Sequence, residues 1–357
     1  VMEGGGMSDR ADRRPHPLLE LTRVRVLEFV REPEALFWVF VFPVLLALAL
    51  GVAFRNRPAE RVRVAVTGEG VAVARMAGEL GGEPSLEVQR LDPPAAAEAL
   101  RKGRVDVLVE ASGSGLTYRF DPTRPEGTAA RLAVDDALQR ARGRVDPVET
   151  HVLPATGAGG RYIDFLIPGL VGLNLMGSGM WGIGFSVVVA RTRKLLKRFA
   201  VTPMRRSQYL ASYALSRLLF LTPEIAAIVG FGWLVFGVEV RGSLAALTTV
   251  SLAGAFAFAG LGLLVAARPT TIEAVSGWMN LVMLPMWVLS GSFFSSDRFP
   301  DAFQPVIKLL PLTALNDALR AVMNDGAPLH ATWSELLVLA VWGAASFVLA
   351  LKLFRWK

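Results

Sequence analysis

The chain has 357 residues, no cysteine, three histidines and a net charge of +7, with 52% hydrophobic residues and a mean hydropathy of +0.42. The absence of Cys excludes disulfides, thiolate chemistry and Cys-ligated metals, and the scattered His16, His151 and His330 read as ordinary surface residues rather than ligands. A pI near 10.1 would suit nucleic acid, but the cations gather beside apolar runs of bilayer length, where orientation in a membrane accounts for them, so nucleic acid is set aside.

Val1 to Gly6 precede Met7 and read as a remnant of an upstream start or a vector; 1–16 is expected to be a disordered or vector-derived amino terminus outside the fold. Pro17 to Glu34 has Leu18, Leu19, Val26, Leu27, Phe29 and Val30 on one half of a helical wheel and Glu20, Arg25, Glu28, Arg31 and Glu32 on the other. Arg23 at the apolar edge, with Leu21 and Val24 on the polar side, blurs that pattern. The segment reads either as an amphipathic helix at the membrane interface or as a plain cytoplasmic helix. Ala35 to Phe54 is uncharged for twenty residues, about 30 Å of helix, and is the first span.

From Arg55 to Tyr162 the character is that of a water-soluble domain, with sixteen Lys or Arg against fifteen Asp or Glu. Val62, Val64 and Val66 alternate as a half-buried strand does. Helices are expected over Val71 to Leu80, from Pro93 to near Gly103 behind an Asp92 cap, and over Thr128 to Arg142. Further strands are expected at Leu86 to Leu91, Val105 to Glu110 and Leu116 to Phe120, the last two joined through Ser112 to Gly115. Residues 55–162 therefore form a compact α/β domain inserted between two spans. No nucleophile, acid pair or metal cluster stands out in it, and Asp135 with Asp136 reads as a solvated helix face.

Residues 163–357 hold five more spans. Phe165 to Ala190 is uncharged and glycine-rich, suited to close packing against neighbouring helices. Arg191 to Arg217 then carries eight Lys or Arg and no acid, the pattern of a cytoplasmic loop; it either sets topology alone or docks a partner. Thr202 can cap and Pro203 can open a new helix. The third span, Leu218 to about Val238, contains Glu224 directly after Pro223, which is either a functional ionisable group or a partner for Arg217. Spans four and five are Ser243 to Ala267 and Val275 to Ser296, the latter with Asn280 and Pro285, which need partners inside the protein. The segment 297–333, broken by Pro300, Pro305, Pro311 and Pro328, is expected at the outer surface or dipping partly in, and Leu336 to Leu351 is the sixth span. Outside the inserted domain, eighteen cations fall on the amino-terminal side of the membrane and four on the other, which places both termini in the cytoplasm and the α/β domain outside.

Three stretches carry a family resemblance. Lys194 to Met204, KLLKRFAVTPM, Pro285 to Phe294, PMWVLSGSFF, and Leu309 to Gly326, LLPLTALNDALRAVMNDG, resemble segments of the permease subunits of ABC (ATP-binding cassette) type-2 exporters. The chain departs from many members at Ala190, Thr192 and Lys197, where those carry acids. The resemblance implies an α-helical polytopic membrane protein with six transmembrane helices and an inserted extracytoplasmic α/β domain, in a bacterial-type plasma (inner) membrane. It implies a dimer, of two copies or with a sister permease, driven by a cytoplasmic ATP-binding cassette ATPase that holds ATP and Mg; this chain binds no cofactor and has no G-x-x-x-x-G-K-[ST] loop of its own. The implied cargo is an amphipathic or lipid-like compound, a drug, lipid or glycoconjugate, with membrane lipids as further partners. Arg191, Arg193, Lys194, Leu195, Leu196, Lys197, Arg198, Phe199, Thr202 and Pro203 are the residues that would couple to the ATPase. Asn174, Glu224, Asn280 and Pro285 are candidates for the translocation path, with interhelical hydrogen bonding as the other role open to the two Asn. Two other classes stay open: a membrane-anchored sensor with a ligand-binding ectodomain, and an ion-driven transporter using Glu224.

Overall fold

The computed structural model describes residues 17–54, 61–68, 70–112, 115–145, 160–194 and 206–353. The chain divides into two units, 56–155 and the remainder, each with its own core.

In chain order the elements are α1 (Pro17–Val30), α2 (Pro33–Ala53), β1 (Val62–Thr67), α3 (Val71–Gly81), β2 (Leu86–Arg90), α4 (Pro93–Arg101), β3 (Val107–Ser112), β4 (Gly115–Phe120), α5 (Pro125–Ala141) and α6 (Tyr162–Thr192). There follow α7 (Arg206–Phe236), α8 (Leu244–Ala266), α9 (Ile272–Leu289), α10 (Gln304–Leu309), α11 (Pro311–Met323) and α12 (Trp333–Leu353). Among the described residues six helices, α2, α6, α7, α8, α9 and α12, are long and apolar enough to cross a membrane.

The 56–155 unit is a four-stranded sheet in the order β2-β1-β3-β4. β1 runs parallel to both β2 and β3, and β4 returns antiparallel to β3 through the short hairpin. Alternation along β1 and β3 sends Val64, Val66, Val107 and Val109 to one face, where Met76, Leu80, Val134 and Leu138 of α3 and α5 cover them. Ala65 and Leu108 face the other way, under Ala96 and Ala99 of α4. Burying each Val stabilises the unit by about 2 kcal/mol. Pro93 and Pro125 open their helices, where a missing N–H goes unused.

In the remaining unit α6 and α8 are the most enclosed spans. They cross backbone to backbone: a Cβ at Gly262 would meet Gly179 O at 2.9 Å and Met180 Cα at 3.0 Å, and one at Gly184 would meet Gly262 O at 2.8 Å. With lipid outside as apolar as the side chains inside, such close packing rather than water exclusion holds the helices together. The crossing falls at a π turn in α6, Met180–Phe185, which widens the helix where glycines let the neighbour in. Ser243 and Thr271 cap α8 and α9 by accepting from Ala246 N (3.1 Å) and Ala274 N (3.2 Å).

Three boundaries differ from the sequence reading. α7 is helical from Arg206, close to the opening read at Pro203, so the last 12 of the 27 residues of the basic segment belong to a 31-residue helix that runs on into the span read from Leu218. α9 stops at Leu289 rather than Ser296, because Gly291 takes a left-handed φ of 69° and turns the chain. The segment 297–333, expected at the outer surface or dipping partly in, contains α11, most of which is buried, with Leu312, Leu315, Leu319 and Val322 repeating at helical spacing toward the core.

Candidate functional site

The most enclosed charges sit between α6 and α7. Arg217 and Glu224 are two turns apart on one face of α7, and the guanidinium grips the carboxylate through both oxygens at 2.7 Å each. Arg217 is 8% exposed and Glu224 1%. From α6 the Ser178 hydroxyl joins them, accepting from Arg217 and lying 3.2 Å from Glu224 Oε2 and 2.5 Å from the Asn174 carbonyl. Of the two readings of Glu224, the structure shows the one in which it pairs with Arg217. Asn174 is buried beside this group in sequence and helix face, and its Nδ2 has no hydrogen-bond partner among the described residues.

Asn280 and Pro285 lie elsewhere. Both sit on the exposed face of α9, with Trp278, Leu281 and Leu284, so the four residues read as a translocation path do not converge within one chain. Asn174 and Glu224 share the Ser178 cluster; Asn280 and Pro285 face away from the body of the protein.

At the end of α6, Arg191 is not a surface cation. Its guanidinium is buried at 9% exposure and donates to Ala266 O (3.0 Å), Ala267 O (3.2 Å) and Pro269 O (2.5 Å). Those are the carbonyls left open where α8 ends, so a cation there satisfies both the acceptors and the helix dipole. Arg193 and Lys194 are exposed, and Lys194 adopts a φ of 56°, with its N–H on Arg191 O at 3.0 Å, to end the helix. Leu195, Leu196, Lys197, Arg198, Phe199, Thr202 and Pro203 lie outside the described residues.

A second polar cluster, which the sequence reading did not single out, surrounds α11. Asn316 is fully buried and donates to Ser290 O (3.0 Å) and Ser292 Oγ (2.9 Å), holding the turn that follows α9. Its Oδ1 rests against Gly172 of α6, where any Cβ would collide with it. Arg320 donates to Gly291 O and stacks over the Phe165 ring at 3.7 Å. Burial pushes the Arg320 guanidinium down to about 10 and the Asp317 carboxyl up. Nearby, Asn324 donates to Asp164 O (2.9 Å), while Arg161 spans Asp164 (2.7 Å) and the Phe236 carbonyl (2.9 Å) at the end of α7. The signal for this cluster was present in the sequence as Asn316 and Arg320 one turn apart on an otherwise apolar stripe.

The six spans and the buried helix α11 belong to one unit, and a family model described as ABC-2 family transporter protein matches residues 33–352 of the chain, the inserted unit included. The chain belongs to the ABC-2 transporter family. Among curated relatives, it is 26% identical over 210 residues to ABC transporter G family member 20 of Dictyostelium discoideum, covering 58% of this chain and 29% of that protein. It is 28% identical over 212 residues to Nodulation protein J of Bradyrhizobium diazoefficiens, covering 55% of this chain and 75% of that one. It is 23% identical over 196 residues to "Probable multidrug ABC transporter permease YbhR" of Escherichia coli (strain K12), covering 55% and 53%. The chain thus spans less than a third of the first of these relatives and about half of the last. Within this ABC-2 chain, the three stretches that carried the resemblance fall at the end of α6 and beyond it, across the end of α9 and the turn held by Asn316, and along α11.

Proposed function

We propose that this chain is the membrane-spanning permease subunit of an ABC exporter, driven by ATP and Mg held on a separate cytoplasmic ATPase. The observation that carries the reading is Arg191. It is the first residue of the basic segment and is buried, and its guanidinium is fastened to the carbonyls of the α8–α9 connection. A partner pushing on that segment moves the end of α6 and, through Arg191, the start of α9 together. Coupling through a two-ended polar strut needs no cofactor in the permease.

In this reading the substrate path is formed with a second permease, either another copy or a sister chain. Asn280 supports that arrangement, because an amide on the exposed face of a span is costly against hydrocarbon unless protein or water faces it. The apolar character of the spans and the multidrug designation of the Escherichia coli relative support an amphipathic or lipid-like cargo moved outward. The distribution of cations supports both termini in the cytoplasm of a bacterial-type inner membrane, with the α/β unit outside. Glu224, committed to Arg217 through both oxygens, acts here as a lock between α6 and α7 rather than as an ion site.

The test is gentle purification from the native membrane. A second polypeptide with magnesium-dependent ATPase activity should accompany the chain in stoichiometric amount. A chain that emerges without a nucleotide-hydrolysing partner, under progressively milder extraction, contradicts the proposal.

A further inference from the structure

The inserted unit, 56–155, joins the rest of the chain through two stems, and both are fastened at one place. Phe54, just past α2, and Tyr162, at the start of α6, flank the unit, and their rings lie 4.4 Å apart. The helices behind them also meet closely: a Cβ at Gly51 of α2 would strike the Phe236 ring of α7 and lie 3.0 Å from Ile163 Cδ1 of α6. Arg161 closes the arrangement, donating to Phe236 O at 2.9 Å and Gly237 O at 3.2 Å while it grips Asp164. In packing this tight a shift of either stem is not absorbed locally; it reaches the ends of α2, α6 and α7 together.

A hydrogen bond leads from this place to the end of α9. The Tyr162 hydroxyl donates to Phe293 O at 3.0 Å, on the turn that follows α9. On its other sides the turn is held by the bundle: Asn316 donates to Ser290 O and Ser292 Oγ, Arg320 donates to Gly291 O, and the Ser292 carbonyl fits against Gly169, where a Cβ would collide with it. Helix α9 itself is lightly attached, with one buried stripe of Val275, Met279, Met283 and Met286. Three of those four are methionines, whose unbranched side chains repack readily when a neighbour shifts. A lightly attached span thus ends in a turn that is bonded to the stem.

We propose that Arg161 and Tyr162 are positioning residues through which the inserted unit sets the conformation of the turn after α9. Arg161 fixes where the start of α6 stands against the end of α7, and Tyr162 carries that position to Phe293 O. The state of the unit is passed in this way to the end of α9. The route requires neither an ATPase nor a direction of transport.

The test uses the full chain in lipid nanodiscs, where the absence of cysteine lets a single nitroxide at Arg298→Cys report on the segment after the turn. A flexible Gly-Ser spacer of about twelve residues, inserted between Ala155 and Thr156, slackens one stem. The spacer should shift the spectrum of the label toward the mobile limit. Tyr162→Phe, which keeps the ring on Phe54 and loses only the hydroxyl, should shift it the same way, and the two changes together should give no more than one alone, the mark of a shared route. Arg161→Gln should likewise remove the response to the spacer. Gln304→Ala is the contrast, because Gln304 holds the same segment through Ser296 O at 2.9 Å and Phe299 O at 3.0 Å but lies off the route. It should mobilise the label and leave the response to the spacer intact. A spectrum indifferent to the spacer, or a response to the spacer that persists in full in Tyr162→Phe, would overturn the proposal.

Discussion

Arg217 and Glu224 lie seven residues apart on one helix and form a two-oxygen ion pair that is almost entirely enclosed by protein, with Ser178 of the neighbouring span as its third member. Removing one partner of such a pair strands the other charge in a medium that solvates it poorly. Glu224→Gln or Arg217→Gln is expected to destabilise the membrane unit by about 3–5 kcal/mol, whereas the double replacement by Met, which removes both charges, should recover most of that loss. Unfolding of the three variants in detergent measures it; additive losses in the double variant would show that the pair is not coupled. Transport that survives in the double variant would also remove Glu224 from any ion-driven mechanism.

Arg191 makes its contribution through geometry that lysine lacks. Arg191→Ala leaves the Ala266, Ala267 and Pro269 carbonyls without their donor and should cost about 3 kcal/mol, the scale of a charge-assisted hydrogen bond or two. Arg191→Lys keeps the charge but reaches fewer carbonyls, so it should fold yet transport less cargo per ATP hydrolysed. An unchanged ratio of transport to hydrolysis in Arg191→Lys would leave the residue a merely structural cap.

The sequence made much of this legible and some of it not, for identifiable reasons. Six spans and the α/β insertion follow from apolar run length and from the change to alternating short segments, and both are present in the structure. The start of α7 was legible in Thr202 and Pro203, which read as the opening of a helix; what the cations up to Arg217 obscured is that this helix and the third span are one, because a helix that extends past the hydrocarbon carries charges without ending. Helix α11 was hidden because prolines at 305 and 311 read as breaks, while Pro311 in fact occupies the first turn of a helix, where proline is welcome. The pairing of Glu224 with Arg217 could be anticipated from their seven-residue spacing. The capping role of Arg191 could not, since its acceptors lie at least 75 residues away.

Gly172 and Asn316 form a size-matched contact. Gly172→Ala should destabilise the unit by about 1–3 kcal/mol, since its Cβ would meet the Asn316 carboxamide oxygen, which can turn away only at the expense of the Nδ2 bonds to Ser290 O and Ser292 Oγ. Asn316→Ser in the same chain should relieve part of the penalty, which thermal unfolding of the single and double variants would show. A Gly172→Ala chain as stable as the parent would mean that α11 is not fixed against α6.

In the α/β unit the Tyr118 hydroxyl donates to Asp135 at 2.9 Å, and burial, reinforced by that carboxylate, pushes the phenol up to about 12. With the folded value above the ordinary value near 10, the group contributes stability that is fully present below pH 10 and lost as pH rises through 12. Ultraviolet titration should therefore show one phenol ionising near 12 that is missing from Tyr118→Phe. Ionisation of all four tyrosines at about 10 in the native chain would contradict it.

Leu195, Leu196 and Phe199 are the bulky apolar residues among those expected to couple to the ATPase. Replacing all three with Ser should abolish stimulation of the partner's ATP hydrolysis while membrane insertion, followed by protease protection, is unchanged. Full stimulation in the triple variant would remove them from the docking surface.

The most direct measurement of the central claim exploits the absence of cysteine from the chain. A single Cys placed at Ala200, in the basic segment, and another placed separately at Gln139 of the inserted unit can be probed in intact cells and in native membranes. The account predicts that Ala200→Cys is shielded from a membrane-impermeant maleimide and crosslinks to a copurifying ATPase, while Gln139→Cys is labelled from outside and does not crosslink. Labelling of Ala200→Cys from outside, or the absence of any ATPase crosslink in membranes that retain transport, would contradict it.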